Sequence, residues 1–276
     1  MSENCNHDCA SCAQNCSSKN DAPQKIQPQS QSKIKHTIGV LSGKGGVGKS
    51  LVSGLLASAM SKKGYKCAVL DADITGPSIP KIFGVHERAQ ATPDGSAILP
   101  ASAKNGVKIM SLNLLLEDET DPVIWRGALI NSAVTQFWKD VIWGDIDYMF
   151  IDMPPGTGDI AMTVFQMLPI DGIVIVSSPQ ELVSMIVGKA VKMAGKMDIP
   201  VVGLVENMSY LKCPDCGKEI EIFGKSRAYE TAGKFNISPA IRLPLCPQTA
   251  KLCDEGNIAQ IDEPALEPLL AKLAAL

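Results

Sequence analysis

Short apolar runs and amphipathic stretches alternate along most of this chain. Residues 37–42 (TIGVLS), 66–71 (KCAVLD), 147–152 (DYMFID), 172–177 (GIVIVS) and 201–206 (VVGLVE) are rich in β-branched side chains and nearly continuous in hydrophobicity. Such runs fit strands buried on both faces of a parallel sheet. Between them, residues 49–62, 130–141, 160–167 and 180–197 carry helical patterns. The alternation predicts an α/β fold, a doubly wound, mostly parallel sheet with right-handed crossovers. Before residue 35 the pattern is missing. Residues 17–32 are rich in Ser, Gln, Asn and Lys and have little to bury, which reads as a flexible tether. The predicted organisation is a cysteine-bearing tail and linker, 1–34, followed by one α/β domain, 35–276.

Ligands of doubly wound sheets gather at the carboxyl ends of the strands, so the residues after each strand matter most. The first strand runs into Gly43, Lys44, Gly45, Gly46, Val47, Gly48, Lys49 and Ser50. This is G-x-x-x-x-G-K-S between a strand and a helix, the pattern of a phosphate loop. The glycines let backbone N–H groups close around a polyanion, and the helix adds the positive end of its dipole. Lys49 can reach the β- and γ-phosphates, and the Ser50 hydroxyl can ligate Mg²⁺. The second strand leads into Asp71, Ala72 and Asp73, two carboxylates that can hold Mg²⁺ and orient a water, or serve as turn aspartates. The third ends on Asp152, followed by Met153, Pro154, Pro155, Gly156, Thr157, Gly158 and Asp159. Asp152 fits a Mg²⁺ carboxylate, and the proline–glycine loop suits sensing of a γ-phosphate. Asp159 is equally compatible with capping the next helix.

Lys44 adds to this. A phosphate loop of the form G-K-G-G-x-G-K-S resembles the deviant Walker A class, with the nitrogenase iron protein, arsenite-pump ATPases and Min and Par ATPases. The resemblance implies a MinD-like (SIMIBI) P-loop NTPase fold, with Lys44 reaching the nucleotide of a two-fold partner. It also implies that Asp73 positions the attacking water and that Asn207 contacts adenine. A guanine reader would show Asn-Lys-x-Asp after the fifth strand. Here Asn207 is followed by Met208, Ser209 and Tyr210, which favours ATP.

Composition narrows the setting. The net charge of −3 argues against a non-specific nucleic-acid binder. No apolar run approaches the roughly 20 residues that span a bilayer, and the start is polar from Ser2 onward, so the expected compartment is the cytoplasm. Thiols stay reduced there, and clustered cysteines then read as metal ligands. Of nine cysteines, six fall in two clusters: Cys5, Cys9, Cys12 and Cys16, then Cys213 and Cys216. C-P-x-C-G is a tight turn that presents two sulfurs to one metal. Two thiolates leave a tetrahedral metal or a [4Fe–4S] cluster half-liganded, and the same pair from a two-fold mate completes it. The tail cysteines suit a cluster that organises its own peptide. Iron–sulfur, zinc and a redox-sensitive tail are all compatible with their spacing. Cys67, Cys246 and Cys253 read as core or incidental thiols.

Taken in order, these motifs resemble the Mrp/ApbC/Nbp group of iron–sulfur cluster carrier ATPases from about residue 35 onward. The resemblance implies a homodimer that bridges a labile [4Fe–4S] cluster through Cys213 and Cys216 and passes it to apo-proteins under control of ATP; slow hydrolysis is expected because a switch needs timing more than throughput. Two other readings stand beside it. One is a Min- or Par-type positioning ATPase, although the end of the chain carries Asp262, Glu263 and Glu267 against Lys272, unlike a basic membrane helix. The other is an ATPase with a structural zinc clasp. Neither nucleic acid nor membrane is an expected partner.

Overall fold

A computed structural model describes residues 25–73, 78–116, 127–156, 158–179 and 183–276. Its central sheet is built from β1 (Lys33–Ser42), β2 (Cys67–Asp71), β5 (Ala101–Ser102), β6 (Lys108–Met110), β7 (Asp145–Asp152), β8 (Gly172–Ser177), β9 (Val201–Lys212), β10 (Glu219–Ile220) and β11 (Ala240–Pro244). The strand order is β10-β9-β8-β1-β7-β2-β6-β5, with β11 also paired to β9. Two short strands, β3 (Gln90–Ala91) and β4 (Ile98–Leu99), form a separate antiparallel pair. All five strands read from the sequence are present and parallel to their main-sheet neighbours, while the short β5 and β10 are antiparallel.

The helices are α1 (Lys49–Lys62), α2 (Ile79–Ile82), α3 (Gly127–Lys139), α4 (Asp159–Met167), α5 (Val183–Lys196), α6 (Ala228–Phe235), α7 (Pro247–Asp254) and α8 (Glu267–Ala274). The sheet is packed on both faces, as continuous apolar strands require. One face meets α3, α4 and α5 through Phe137, Trp138, Phe165 and Val187. The other meets α1 and α8 through Leu56, Met60, Leu269 and Leu273. Because Leu269, Leu270 and Leu273 are buried, the apolar side of α8 is used inside the domain.

The described part of the tether, residues 25–32, lies against the domain. The Ile26 N–H donates to Met167 O at 2.8 Å, and the Trp138 indole donates to Ile26 O at 2.9 Å. The Ser32 hydroxyl donates to Val141 O and accepts from the Trp143 N–H at 2.9 Å. These bonds hold the chain where it enters β1. Cys5, Cys9, Cys12 and Cys16 lie outside the described residues.

Candidate functional site: a phosphate loop and a cysteine knuckle

The loop between β1 and α1 turns on Gly46 and Gly48, at φ 78° and 81°, a region that side chains with a Cβ rarely enter. Gly48 is the N-cap of α1, whose first turn carries neither a capping side-chain hydrogen bond nor an acidic residue. The first N–H groups and the helix dipole are thereby left to an anion. A cleft of about 440 Å³ opens over this end, lined by Gly45, Gly46, Lys49, Ser50, Asp73 and Cys253, among others.

Lys49 is buried at the floor of the cleft, its Nζ 2.8 Å from Asp152 Oδ2 and 3.4 Å from Asp73 Oδ2. Asp152 is wholly buried and also accepts from the Ser50 hydroxyl at 2.6 Å and the Ser53 hydroxyl at 2.7 Å. The structure therefore brings Lys49, Ser50, Asp73 and Asp152 together from three strand ends. Ser50 and Asp152 offer adjacent hard oxygen donors, a set that fits Mg²⁺. Ser53 had no motif to mark it, yet it lies one helical turn beyond Lys49 and Ser50, on the face of α1 that meets β7. Of the loops expected to sense phosphate, residues 74–77 and Thr157 lie outside the described residues. Gly158 is the N-cap of α4, and Asp159 is the first residue of that helix.

Asp71 stands in register with Asp152 on the neighbouring strand. Burial pushes its carboxyl well above the usual carboxylate range, and the Asp152 charge pushes the same way, against Lys49 and a 3.1 Å hydrogen bond from Ser111. The sign for stability follows from linkage. A raised folded-state value favours the protonated form, so its stabilising effect is full below the ordinary carboxylate range and is lost as pH rises through the raised value. Asp71→Asn removes that loss. In thermal melts of nucleotide-free protein, the variant is expected to melt above the wild type at neutral pH, with the gap closing toward pH 4 and below. Parallel curves across that range would contradict this assignment.

Asn207 is buried, and its side-chain amide donates to Val47 O in the phosphate loop at 3.0 Å. The contact is close enough that a Cβ on Gly48 would sit 2.2 Å from Asn207 Nδ2. Beyond Asn207 the strand continues. The sequence placed its end at residue 206, but β9 runs on to Lys212, through Met208 at φ 55°. The apolar run stops at Glu206, while backbone pairing does not.

Cys213 follows β9 directly, and the chain turns back as β10. The Cys213 N–H donates to Lys218 O and the Gly217 N–H to Cys213 O, both at 2.9 Å, with Gly217 at φ 72°. The backbone N–H of Cys216, then that of Asp215, point at the Cys213 sulfur and lower its thiol below the ordinary value. Thiolate is the form that binds metal. Cys213 is half-buried and Cys216 exposed. Among the described residues, no group of three or more His, Cys, Asp or Glu gathers at one metal position, so the knuckle supplies two donors of an incomplete set. Cys67 is a core thiol pushed up to about 12 by burial, in keeping with its reading as structural. Cys253, read as incidental, instead lines the phosphate-loop cleft.

Three comparisons bear on this pairing of sites. The family model described as ParA, NUBPL iron-transfer P-loop NTPase, matches residues 33–274. The iron-sulfur cluster carrier protein of Clostridium perfringens is 47% identical over 264 residues, covering 90% of this chain and 92% of the relative. That of Methanocaldococcus jannaschii is 44% identical over 251 residues, 87% and 86% of the two chains. Among solved structures, a nucleotide-binding protein from Archaeoglobus fulgidus in complex with ADP aligns with a TM-score of 0.76 at 40% identity, covering 85% of this chain and 91% of that one. The MinD cell division protein of Aquifex aeolicus aligns at 0.59 with 20% identity over 87% and 95% of the chains, a likeness of fold.

Proposed function

The chain belongs to the ParA-type family of NUBPL iron-transfer P-loop NTPases, and from that premise we propose that it is an ATP-dependent carrier of iron–sulfur clusters in the cytoplasm. One observation carries the reading. The strand that touches the phosphate loop through Asn207 ends, at Cys213, in a metal-type knuckle with two thiols and no further ligands around it among the described residues.

The nucleotide half works through charges already in place. ATP phosphates occupy the loop from Gly43 to Ser50, against the α1 N-terminus. Lys49 then leaves Asp73 and Asp152 for the β- and γ-phosphates. Ser50 and Asp152 are the residues that would hold Mg²⁺, which supplies charge neutralisation on the phosphates. Asp73, released from Lys49, orients the attacking water, and Asn207 contacts adenine. Lys44 engages the nucleotide of a second copy, so that hydrolysis waits on dimer closure and is slow.

The cargo half follows from the unfilled donor set. Cys213 and Cys216 of two copies hold one [4Fe–4S] cluster, the substrate, which passes to apo iron–sulfur proteins. A structural zinc clasp is a poorer fit. Relatives at 47% and 44% identity bear the name iron-sulfur cluster carrier protein, which favours a cluster over a structural metal. The Min-type alternative is also disfavoured, since α8 spends its leucines on the core.

The experiment is anaerobic purification of the full chain, reconstitution with iron and sulfide, and incubation with an apo [4Fe–4S] enzyme and Mg-ATP. Broad absorption near about 400 nm and recovery of acceptor activity are expected. Stoichiometric zinc, with no sulfide and no acceptor activation, would contradict the proposal.

A further inference from the structure

Between the phosphate-loop contact and the cysteines lies a polar network that the carrier reading does not use. Glu206 is fully buried, and its Oε1 accepts from the Ser209 hydroxyl at 2.7 Å and the Ser226 hydroxyl at 2.6 Å. Arg242, in register with Glu206 on β11, donates through Nε to Ser209 Oγ at 2.8 Å. Its Nη1 and Nη2 lie 3.6 Å from carboxylate oxygens of Glu219 and Glu221, on the chain leaving the knuckle. The guanidinium also sits 5.1 Å above the Tyr210 ring. Glu221 in turn accepts from the Ser226 N–H at 3.3 Å. The chain leaving the knuckle is thus tied back, at Glu219, Glu221 and Ser226, to the part of β9 beside Asn207.

Two features distinguish this network from an ordinary structural clasp. Buried Glu206 Oε2 has no hydrogen-bond partner, and Arg242 Nη2 is held only by its loose 3.6 Å ion pair with Glu221. A settled clasp satisfies such groups, because leaving them unmet is costly. A spare acceptor on β9 in register with a loosely paired donor on β11 can be exchanged into a second arrangement without new residues. The other feature is position. Met208, in the left-handed region, is the single non-glycine break in β9 between Asn207, on the phosphate loop, and Cys213.

We propose that Arg242 is a positioning residue, which with Glu206 and Ser209 transmits the state of the phosphate loop to the Cys213–Cys216 knuckle. Movement of Val47 around phosphate shifts Asn207, and the adjoining Glu206–Ser209–Arg242 unit re-pairs and re-aims the hairpin. That is a coupling between two sites through one element with two arrangements. The inference rests on the carrier reading only in taking Cys213 and Cys216 as the working end.

The test needs no metal. Apo full-length protein is treated with a thiol alkylator, and the peptide bearing Cys213 and Cys216 is followed by mass spectrometry, with and without a non-hydrolysable ATP analogue. In the wild type the analogue is expected to change the labelling rate about threefold or more. In Arg242→Ala and in Glu221→Gln, on the exposed rim, that dependence shrinks toward unity while analogue affinity stays within about twofold, and Arg242→Lys restores part of it. A wild type indifferent to the analogue, or variants that keep its full effect, would overturn the proposal. A protein that shows the coupling yet holds only zinc would sink the carrier reading alone.

Discussion

Replacing both Cys213 and Cys216 with alanine in the full chain is expected to abolish cluster delivery. Transfer to an apo-acceptor should fall by about tenfold or more, while ATP binding is retained. The knuckle is surface-built: Cys216 is exposed, Cys213 is half-buried, and the turn is held by backbone bonds that alanine keeps. Folding should therefore survive, and the loss can be read as a loss of ligands. Total iron is expected to fall without reaching zero if Cys5, Cys9, Cys12 and Cys16 take up metal of their own. Delivery is the decisive readout, since the knuckle proposed to couple to nucleotide through β9 has gone. Unchanged delivery by the double variant would refute the assignment.

The second large effect concerns the two loop lysines. Lys44→Ala and Lys49→Gln are each expected to lower ATP hydrolysis by about 10²–10³-fold, the scale for removing a preorganised charge from a transferring phosphoryl group. They differ in where they act. Lys49 serves its own site, where it already pairs with Asp152 and Asp73. Lys44 is assigned to the partner's site. Mixing the two inactive proteins should then restore activity, because a mixed dimer has one site with its own Lys49 and an incoming Lys44. Random pairing makes half the dimers mixed, each with one competent site of two, so about a quarter of wild-type activity is expected. If Lys44 acted within its own chain, the mixture would stay inactive. Glutamine is used at position 49 because, although the charge is lost, its amide N–H can still donate to buried Asp152 and half-buried Asp73, which alanine would leave without a donor.

The phosphate loop, α1 and the central strands were legible in the sequence because their signals are local. Gly43 to Ser50 is a contiguous pattern, and residues 49–62, read as a helix, coincide with α1. Asp152 could be placed because an apolar run ends on it. The cysteine knuckle was legible as chemistry, but its attachment was not, since the mixed stretch from Asn207 to Lys212 breaks the continuous apolar run and hides the second half of β9. The Arg242 network was invisible for a related reason. Its partners lie 33 residues away at Ser209, and about twenty at Glu219 and Glu221, so no spacing joins them. The helices α6, α7 and α8 are only eight residues each, too short for a periodic signal to stand out. The edge strands β5 and β10 have two residues apiece and are fixed by their neighbours.

In the proposed carrier, two chains together make whole the nucleotide and cluster sites that each holds in half. Native mass spectrometry under anaerobic conditions, on full-length protein supplied with ATP, iron and sulfide, tests that most directly. The predicted species is a dimer carrying the added mass of a [4Fe–4S] cluster that is missing from the Cys213→Ala/Cys216→Ala protein. A chain that stays monomeric under those conditions, or a dimer whose cluster mass is the same in both proteins, would contradict it.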